Sequence, residues 1–278
     1  MERHDLEGQT FLVTGANSGI GASTARALVE RGAHVFLACR SADQGRAIAR
    51  ALSDAAAGGP ARVELLQLDL ADFASIRRAA GAFCERALPL SALINNAGLS
   101  GIRGLTRDGF ELTWGVNHLG HFLLTILLQQ RLREGCGRVV NVSSDLHRKA
   151  NGIDFAALRS PARLFGMREY RTSKLCNVLF SQELARRWAP QGIRSVALHP
   201  GSVATGMQRQ MPAPARWLLQ HFLLPADAGA KTTLFCATAP GVANGRYYEK
   251  QREIAPSTLA QDEPLAQRLW HFSESAIG

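Results

Sequence analysis

Thr10-Phe11-Leu12-Val13-Thr14-Gly15-Ala16-Asn17-Ser18-Gly19-Ile20-Gly21 is the stretch on which the fold turns. A β-rich apolar run, Thr10 to Val13, passes directly into a turn with glycines at 15, 19 and 21, and Ala22 to Arg31 then reads as a helix that closes at Gly32. Glycine permits a tight turn and a close approach of backbone to phosphate. A helix N-terminus offers an anion its unpaired N–H groups and the positive end of its dipole. A glycine-rich turn alone is a weak signal; set between a strand and a helix near the amino terminus, it has the context of a nucleotide-binding turn.

Outward from that turn the same alternation continues. Short apolar runs recur at His34–Ala38, Val63–Leu68, Ala92–Ile94, Arg138–Val142 and Ser195–Leu198, with helical patterns between them. Near-continuous apolar strands separated by helices predict a parallel sheet covered on both faces. The expected fold class is α/β: a Rossmann-like, doubly wound parallel sheet in a single domain over residues 1–278. In such sheets functional residues follow the carboxyl ends of the strands.

Composition narrows the function. Apolar residues make up 46% of the 278 and charged ones 20%, enough to bury a core without disulfides or metals. No apolar run is long enough to span a bilayer, and Met1-Glu2-Arg3-His4-Asp5 lacks the apolar centre of a secretory signal, so a cytoplasmic protein with no transmembrane segment is expected. The five cysteines are widely spaced with no C-x-x-C pair, which predicts buried free thiols and neither disulfides nor zinc. The net charge of +9 comes from arginines scattered along the chain, with lysine only at 149, 174, 231 and 250. No basic run forms, so nucleic acid is not an expected partner and an anionic cofactor is the better match.

Beyond the glycine turn, the sequence carries Asn95-Asn96-Ala97-Gly98 after the fourth strand, Asn117 in a predicted long helix and Ser143-Ser144 after the fifth strand. It also carries Tyr170-x-x-x-Lys174, and Pro200-Gly201 after the sixth strand. In this order and spacing, over roughly residues 5 to 250, the chain resembles the short-chain dehydrogenase/reductase family. Leu37-Ala38-Cys39-Arg40-Ser41, Val116-Asn117-His118-Leu119-Gly120-His121-Phe122 and Leu198-His199-Pro200-Gly201 are most similar to its retinol-dehydrogenase-like branch. The resemblance implies hydride transfer between a nicotinamide cofactor and an alcohol or carbonyl. It implies cofactor contacts from Gly15, Asn17, Ser18, Gly19, Ile20, Gly21, Asn96, Ala97, Gly98, Pro200, Gly201 and Val203, with Asp69 and Leu70 near the adenine. A homo-oligomer, dimer or tetramer, is also implied.

Tyr170 and Lys174 lie four apart in the helical stretch Arg168 to Trp188, so both side chains leave one face. A free tyrosine titrates near ~10, and bringing it near 7 requires ~3 units, or ~4 kcal/mol of preference for phenolate. A lysine charge at ~4 Å supplies about that much at an effective dielectric of ~20, and an oxidised nicotinamide ring adds more. Tyr170 is therefore expected to exchange the proton while Lys174 tunes it and holds the nicotinamide ribose. The family places its serine one step beyond Ser143, which favours Ser144 as the partner of the substrate oxygen. Asn117 is implied to hold a water that feeds the lysine, against a plain reading as a helix-bending asparagine.

After the second strand the chain reads Cys39-Arg40-Ser41 in place of the acidic residue typical of NAD binding, so Arg40 predicts a preference for NADP(H), with NAD(H) left open. His118 and His121 lack a third ligand and the spacing of a zinc helix, so no metal is expected. His147 reads either as a substrate contact or as an exposed loop histidine, and His199 as packing behind Pro200-Gly201. The extended segment from Asp145 to Glu169 is expected to shape the substrate pocket. Residues 202–224 end in Trp217-Leu218-Leu219-Gln220-His221-Phe222-Leu223-Leu224 and suggest an apolar lid over a small apolar carbonyl or alcohol, or a peripheral membrane contact. The tail, 251–278, contains a short amphipathic helix at Leu265–Trp270. A catalytically silent NADP(H)-sensing regulator and a sterol or polyketide ketoreductase are the alternatives on the same fold.

Overall fold

The computed structural model describes residues 4–162, 166–202 and 225–278. Its centre is one sheet in the order β3-β2-β1-β4-β5-β6-β7-β8. The strands are β1 (Thr10–Thr14), β2 (His34–Cys39), β3 (Arg62–Gln67), β4 (Ala92–Asn95), β5 (Arg138–Val142), β6 (Arg194–His199), β7 (Tyr247–Glu249) and β8 (Arg252–Ile254). The pairs from β3 through β7 are parallel, and β8 closes the edge antiparallel to β7. Helices α1 (Gly19–Glu30), α2 (Ala42–Ala55), α3 (Phe73–Cys84), α4 (Leu112–Trp114), α5 (Gly120–Leu127), α6 (Gln129–Glu134), α7 (Met167–Trp188), α8 (Ala226–Thr238) and α9 (Glu263–Ile277) surround it.

The continuous apolar strands follow from burial on both faces. Leu12 pairs with Phe36 and Leu93, and all three face a core shared with Ile76 and Phe83 of α3, Phe122 of α5 and Phe180 of α7. Their neighbours Phe11, Val13, Val35, Leu37 and Ile94 face the opposite core with Leu28 of α1 and Cys236 of α8. Each such side chain contributes ~1.5–3 kcal/mol of burial. Helix starts are fixed locally: the Asp72 carboxylate accepts from Ala74 N and Ser75 N at 2.9 and 3.3 Å to begin α3, a cap worth ~1 kcal/mol.

Strand β1 sits between β2 and β4, so the chain winds away from it in both directions and a crevice opens at the carboxyl ends. A polar ladder stiffens the sheet below that crevice. Asn95 Nδ2 donates to Asn141 Oδ1 at 3.0 Å, Asn141 Nδ2 donates to Ser195 Oγ at 3.3 Å, and the Ser195 and Ser181 hydroxyls are 2.9 Å apart.

Three readings of the sequence change. The tail begins inside a strand hairpin, because β8 lies at Arg252–Ile254, and its helix extends over Glu263–Ile277, with the Trp270 ring centroid 5.1 Å from that of Phe122 and 4.7 Å from the Arg187 guanidinium. The segment after Ser144 folds into two 3₁₀ turns, Asp145–Lys149 and Phe155–Arg159, and packs on α9 through Phe155 and Phe272, whose centroids are 5.0 Å apart. All five thiols are free, but only Cys39, Cys176 and Cys236 are buried; Cys136 is exposed in a turn with φ of 44°. Val203 and the lid segment up to 224 lie outside the described residues. Among the described residues no helix is long and apolar enough to cross a membrane.

Candidate active site

The crevice contains a cavity of about 260 Å³ lined by Gly15, Asn17, Ser18, Gly19, Ile20, Gly21, Asn96, Ala97, Gly98, Val142, Ser143, Tyr170, Lys174 and Pro200. Gly15 turns the chain at φ 66°, where its N–H donates to Ala38 O at 2.8 Å. Gly21 is required by proximity: a Cβ there would collide with the Gly15 carbonyl oxygen and with Asn96 Nδ2. Ser18 is the N-cap of α1 and makes no side-chain cap hydrogen bond, which leaves the first amides of the helix directed at the cavity.

The end of β1 is tied to the end of β4 through one hydroxyl. Thr14 Oγ1 accepts from Asn96 N and Ala97 N, both at 3.0 Å, and Asn96 Nδ2 donates to Thr14 O at 2.8 Å. His121 completes this tie, with Nε2 2.8 Å from Thr14 Oγ1 and Nδ1 3.1 Å from Asn117 O. A carbonyl can only accept, so Nδ1 carries the proton and Thr14 donates to Nε2. Burial, reinforced by the Lys174 charge and opposed by the Asn117 carbonyl, brings this ring down to about 4, which keeps it neutral in that role.

The expected long helix around Asn117 is broken. Residues Gly115–Leu119 form a π-helical turn between α4 and α5, a feature that frees a carbonyl and re-aims side chains. The freed Asn117 side chain accepts from Leu99 N at 2.9 Å and donates to Leu99 O and Ser173 Oγ, both at 3.0 Å. It lies behind Gly98, where a Cβ would come 3.3 Å from Asn117 Oδ1 and 3.6 Å from Lys174 Nζ. Asn117 thus sits in a distorted helix, on the same side of Gly98 as the Lys174 ammonium.

Helix α7 carries Tyr170 and Lys174 to the crevice. Lys174 Nζ donates to Val142 O at 2.9 Å and stands 5.6 Å from the centroid of the Tyr170 ring; burial lowers it to about 8. Ser143 Oγ donates to Lys174 O at 2.7 Å and is consumed in fastening β5 to α7. Ser144 is the serine beside the phenol. Tyr170 is 7% exposed, and burial pushes it up, Ser144 hydrogen bonding opposes this and the Asp145 charge adds to it. On balance these groups favour the phenol, and the Lys174 ammonium is held by Val142 O.

The residues matched to the family model for short chain dehydrogenase run from 9 to 215. The chain is a short chain dehydrogenase. A WW domain-containing oxidoreductase of Danio rerio is 42% identical over 98% of this chain and 69% of its own length. Retinol dehydrogenase 11 of Homo sapiens is 39% identical over 98% of this chain and 87% of its own, in keeping with the retinol-dehydrogenase-like branch. A solved short chain dehydrogenase of Burkholderia cenocepacia in complex with NADP superposes with a TM-score of 0.68 at 29% identity, covering 87% of this chain and 96% of that one. The protein is an oxidoreductase of the class acting on CH–OH groups with NAD(P).

Several expected contacts of the dehydrogenase stand outside the described cavity lining. Arg40 is exposed at the end of β2, next to Ser41, which caps α2. The Asp69 carboxylate accepts from Ala71 N at 3.0 Å, and Leu70 is buried in the core with its carbonyl against Gly120. Gly201 follows Pro200 at φ 90°. His147 is neither an exposed loop residue nor a cavity residue: it is fully buried, with Nδ1 2.6 Å from Ser144 O and Nε2 accepting from Ser257 N at 3.1 Å. It therefore holds the Ser144 backbone to the C-terminal segment of the dehydrogenase. His118 is directed away from His121 and pairs with Ser273 Oγ of α9 at 3.0 Å.

Proposed function

We propose that this dehydrogenase interconverts an alcohol and a carbonyl on a small apolar substrate, with NADP(H) as the preferred cofactor and Tyr170 as the proton-exchanging group. The observation that carries this reading is the convergence of Tyr170, Lys174 and the uncapped start of α1 on one cavity, with Ser144 beside the phenol. The glycine turn fits a dinucleotide, because Gly21 packs on the Gly15 carbonyl and Asn96 too closely for any side chain, while the space over Gly19 on the cavity wall is open. Gly15, Asn17, Ser18, Gly19, Ile20, Asn96, Ala97, Gly98 and Pro200 would hold the cofactor, which supplies or accepts the hydride.

The chain's residues then divide the work. Tyr170 gives its phenolic proton to the carbonyl oxygen in reduction and removes the alcohol proton in oxidation. Ser144 holds the substrate oxygen against the phenol. Lys174, buried and fixed by Val142 O, places a positive charge that favours phenolate and meets the ribose, and Asn117 holds the loop at Leu99 that faces it. Arg40 beside the capped start of α2 offers a 2′-phosphate a charge-assisted contact worth ~1.5–3 kcal/mol, and no acidic side chain ends β2 to bind ribose hydroxyls instead. The apolar run at 217–224 and a relative whose name designates retinol, an apolar alcohol, support an apolar substrate.

The test is a fluorescence titration with NADPH and NADH, followed by cofactor absorbance during incubation with a panel of apolar aldehydes and ketones. Tighter NADPH binding with carbonyl-dependent oxidation is expected. Binding without turnover across the panel contradicts the enzymatic reading and favours a nucleotide sensor.

A further inference from the structure

The Thr14 hydroxyl has one proton to give and two lone pairs. Asn96 N and Ala97 N, each at 3.0 Å, occupy both lone pairs, so the proton must find an acceptor elsewhere. Two acceptors are in reach, His121 Nε2 at 2.8 Å and Ile94 O at 3.3 Å, and the shorter contact takes it. At the other edge of the imidazole, Nδ1 lies 3.1 Å from Asn117 O, which can only accept. Both ends thus require the same tautomer, with Nδ1 protonated and Nε2 bare. Burial lowers this ring to about 4, so Nε2 is free to accept at pH 7.

The hydroxyl oriented in this way sits where two turns meet. Thr14 leads into the glycine turn, Asn96 and Ala97 follow β4, and Gly15, Asn96 and Ala97 all line the crevice. The two backbones are in contact: a Cβ on Gly15 would lie 3.0 Å from Ala97 Cα. A second tether runs beside the first. The Thr125 hydroxyl, one turn further along α5, donates to His121 O at 2.7 Å and accepts from Asn95 Nδ2 at 3.2 Å. Helix α5 therefore grips the end of β4 twice, at Asn95 through Thr125 and at Asn96 and Ala97 through His121 and Thr14.

We infer that His121 is a positioning residue for the cofactor: by accepting the Thr14 proton it holds the turns after β1 and β4 at the separation the dinucleotide needs. This rests on the reading of the crevice as the dinucleotide site. An imidazole suits the place because it accepts at one nitrogen and donates at the other across a rigid ring, which spaces Thr14 from the π turn at Asn117. Without Nε2 the hydroxyl proton is left to Ile94 O, and reaching that carbonyl turns the lone pairs away from the Asn96 and Ala97 amides. The wall of the crevice formed by these two residues then loses the acceptor that fixes it to β1.

The test uses the full chain at pH 7 and fluorescence titration with NADPH and with NADH, for wild type, His121→Gln and His121→Asn. Glutamine reaches as far as Nε2 and can present an amide oxygen to Thr14, whereas asparagine ends near Nδ1 and serves only Asn117 O. His121→Gln should bind the tighter of the two cofactors within about threefold of wild type, and His121→Asn roughly tenfold or more weakly. A packing role would make the variants alike, since both lose the ring, so equal affinities, or a larger loss in His121→Gln, overturn the inference. NMR of the ring nitrogens in wild type, with the His121 signal assigned by its absence from His121→Gln, should show a proton on Nδ1; a proton on Nε2 overturns it as well. If His121→Asn does not fold, Thr14→Val, which removes the hydroxyl at similar size, takes its place with the same expected loss, and affinity within about threefold of wild type overturns the inference. Binding of neither cofactor by wild type fails the dinucleotide reading and this inference with it, whereas wild-type binding with equal variants removes only the positioning role.

Discussion

Acidification from pH 7 to pH 5 should destabilise the fold chiefly through two histidines that follow Asn117 in the chain. His118 and His121 are fully buried, and burial lowers them from about 6.5 to about 3 and about 4. In the unfolded chain both titrate near ~6.5. The folded values lie below the unfolded ones, so below ~6.5 the unfolded state binds more protons than the folded state, and stability falls with pH until the folded values are reached. At pH 5 the difference amounts to ~1.5 units per ring, or ~2 kcal/mol each and ~4 kcal/mol together. The assay is urea unfolding at both pH values for wild type and His118→Phe. Phenylalanine suits the site, because His118 already packs among Trp114, Phe122 and Phe180 at centroid distances of 5.3, 6.1 and 5.8 Å, and the cost is the bond to Ser273. The variant should lose ~2 kcal/mol less than wild type between pH 7 and pH 5. Equal losses in the two proteins would refute the assignment of the acid sensitivity to this buried pair.

Three further outcomes are expected. Arg40→Asp should shift the NADP/NAD ratio of kcat/KM toward NAD by roughly ten- to a hundredfold, measured with both reduced cofactors; an unchanged ratio makes Arg40 a bystander. Gly21→Ala forces the turn away from the Gly15 carbonyl and Asn96, so NADPH titration should show binding weakened by more than ~10-fold, consistent with ~1–3 kcal/mol of overpacking; wild-type affinity would contradict the close approach. Ser144→Ala should lower kcat by ~10²-fold with little change in melting temperature. Ser143→Ala, which loses the bond to Lys174 O, should cost ~1 kcal/mol of stability, and a reversed pattern in paired kinetic and thermal assays would exchange the two roles.

What the sequence revealed, and what it hid, follows from the range of the interactions. Strands β1, β2, β4, β5 and β6 are written as apolar β-rich runs, because burial on both faces demands them, while the edge strand β3 is only partly buried. Strands β7 and β8 have three residues each, and their two-residue turn, Lys250-Gln251, takes positive φ of 49° and 62° without glycine or asparagine, so the usual hairpin signal is missing. The helical spacing of Tyr170 and Lys174 places them on one face, but the acceptor that holds Lys174 is a backbone carbonyl on β5. The ties of His121 to Thr14 and of His147 to Ser257 span 107 and 110 residues, and no local pattern announces them. The π turn at Asn117 is a one-residue slip in hydrogen-bond register, which leaves the apolar periodicity of the helix nearly intact.

The central claim, that Tyr170 exchanges the proton with the substrate oxygen in this crevice, is tested most directly by comparing Tyr170→Phe with wild type in carbonyl-dependent NADPH oxidation and in NADPH titration. The substitution keeps the ring and removes the one oxygen at issue. The expected result is a kcat lowered by ~10³-fold or more with cofactor affinity within about threefold of wild type. A kcat within about tenfold of wild type, at intact cofactor binding, would contradict it.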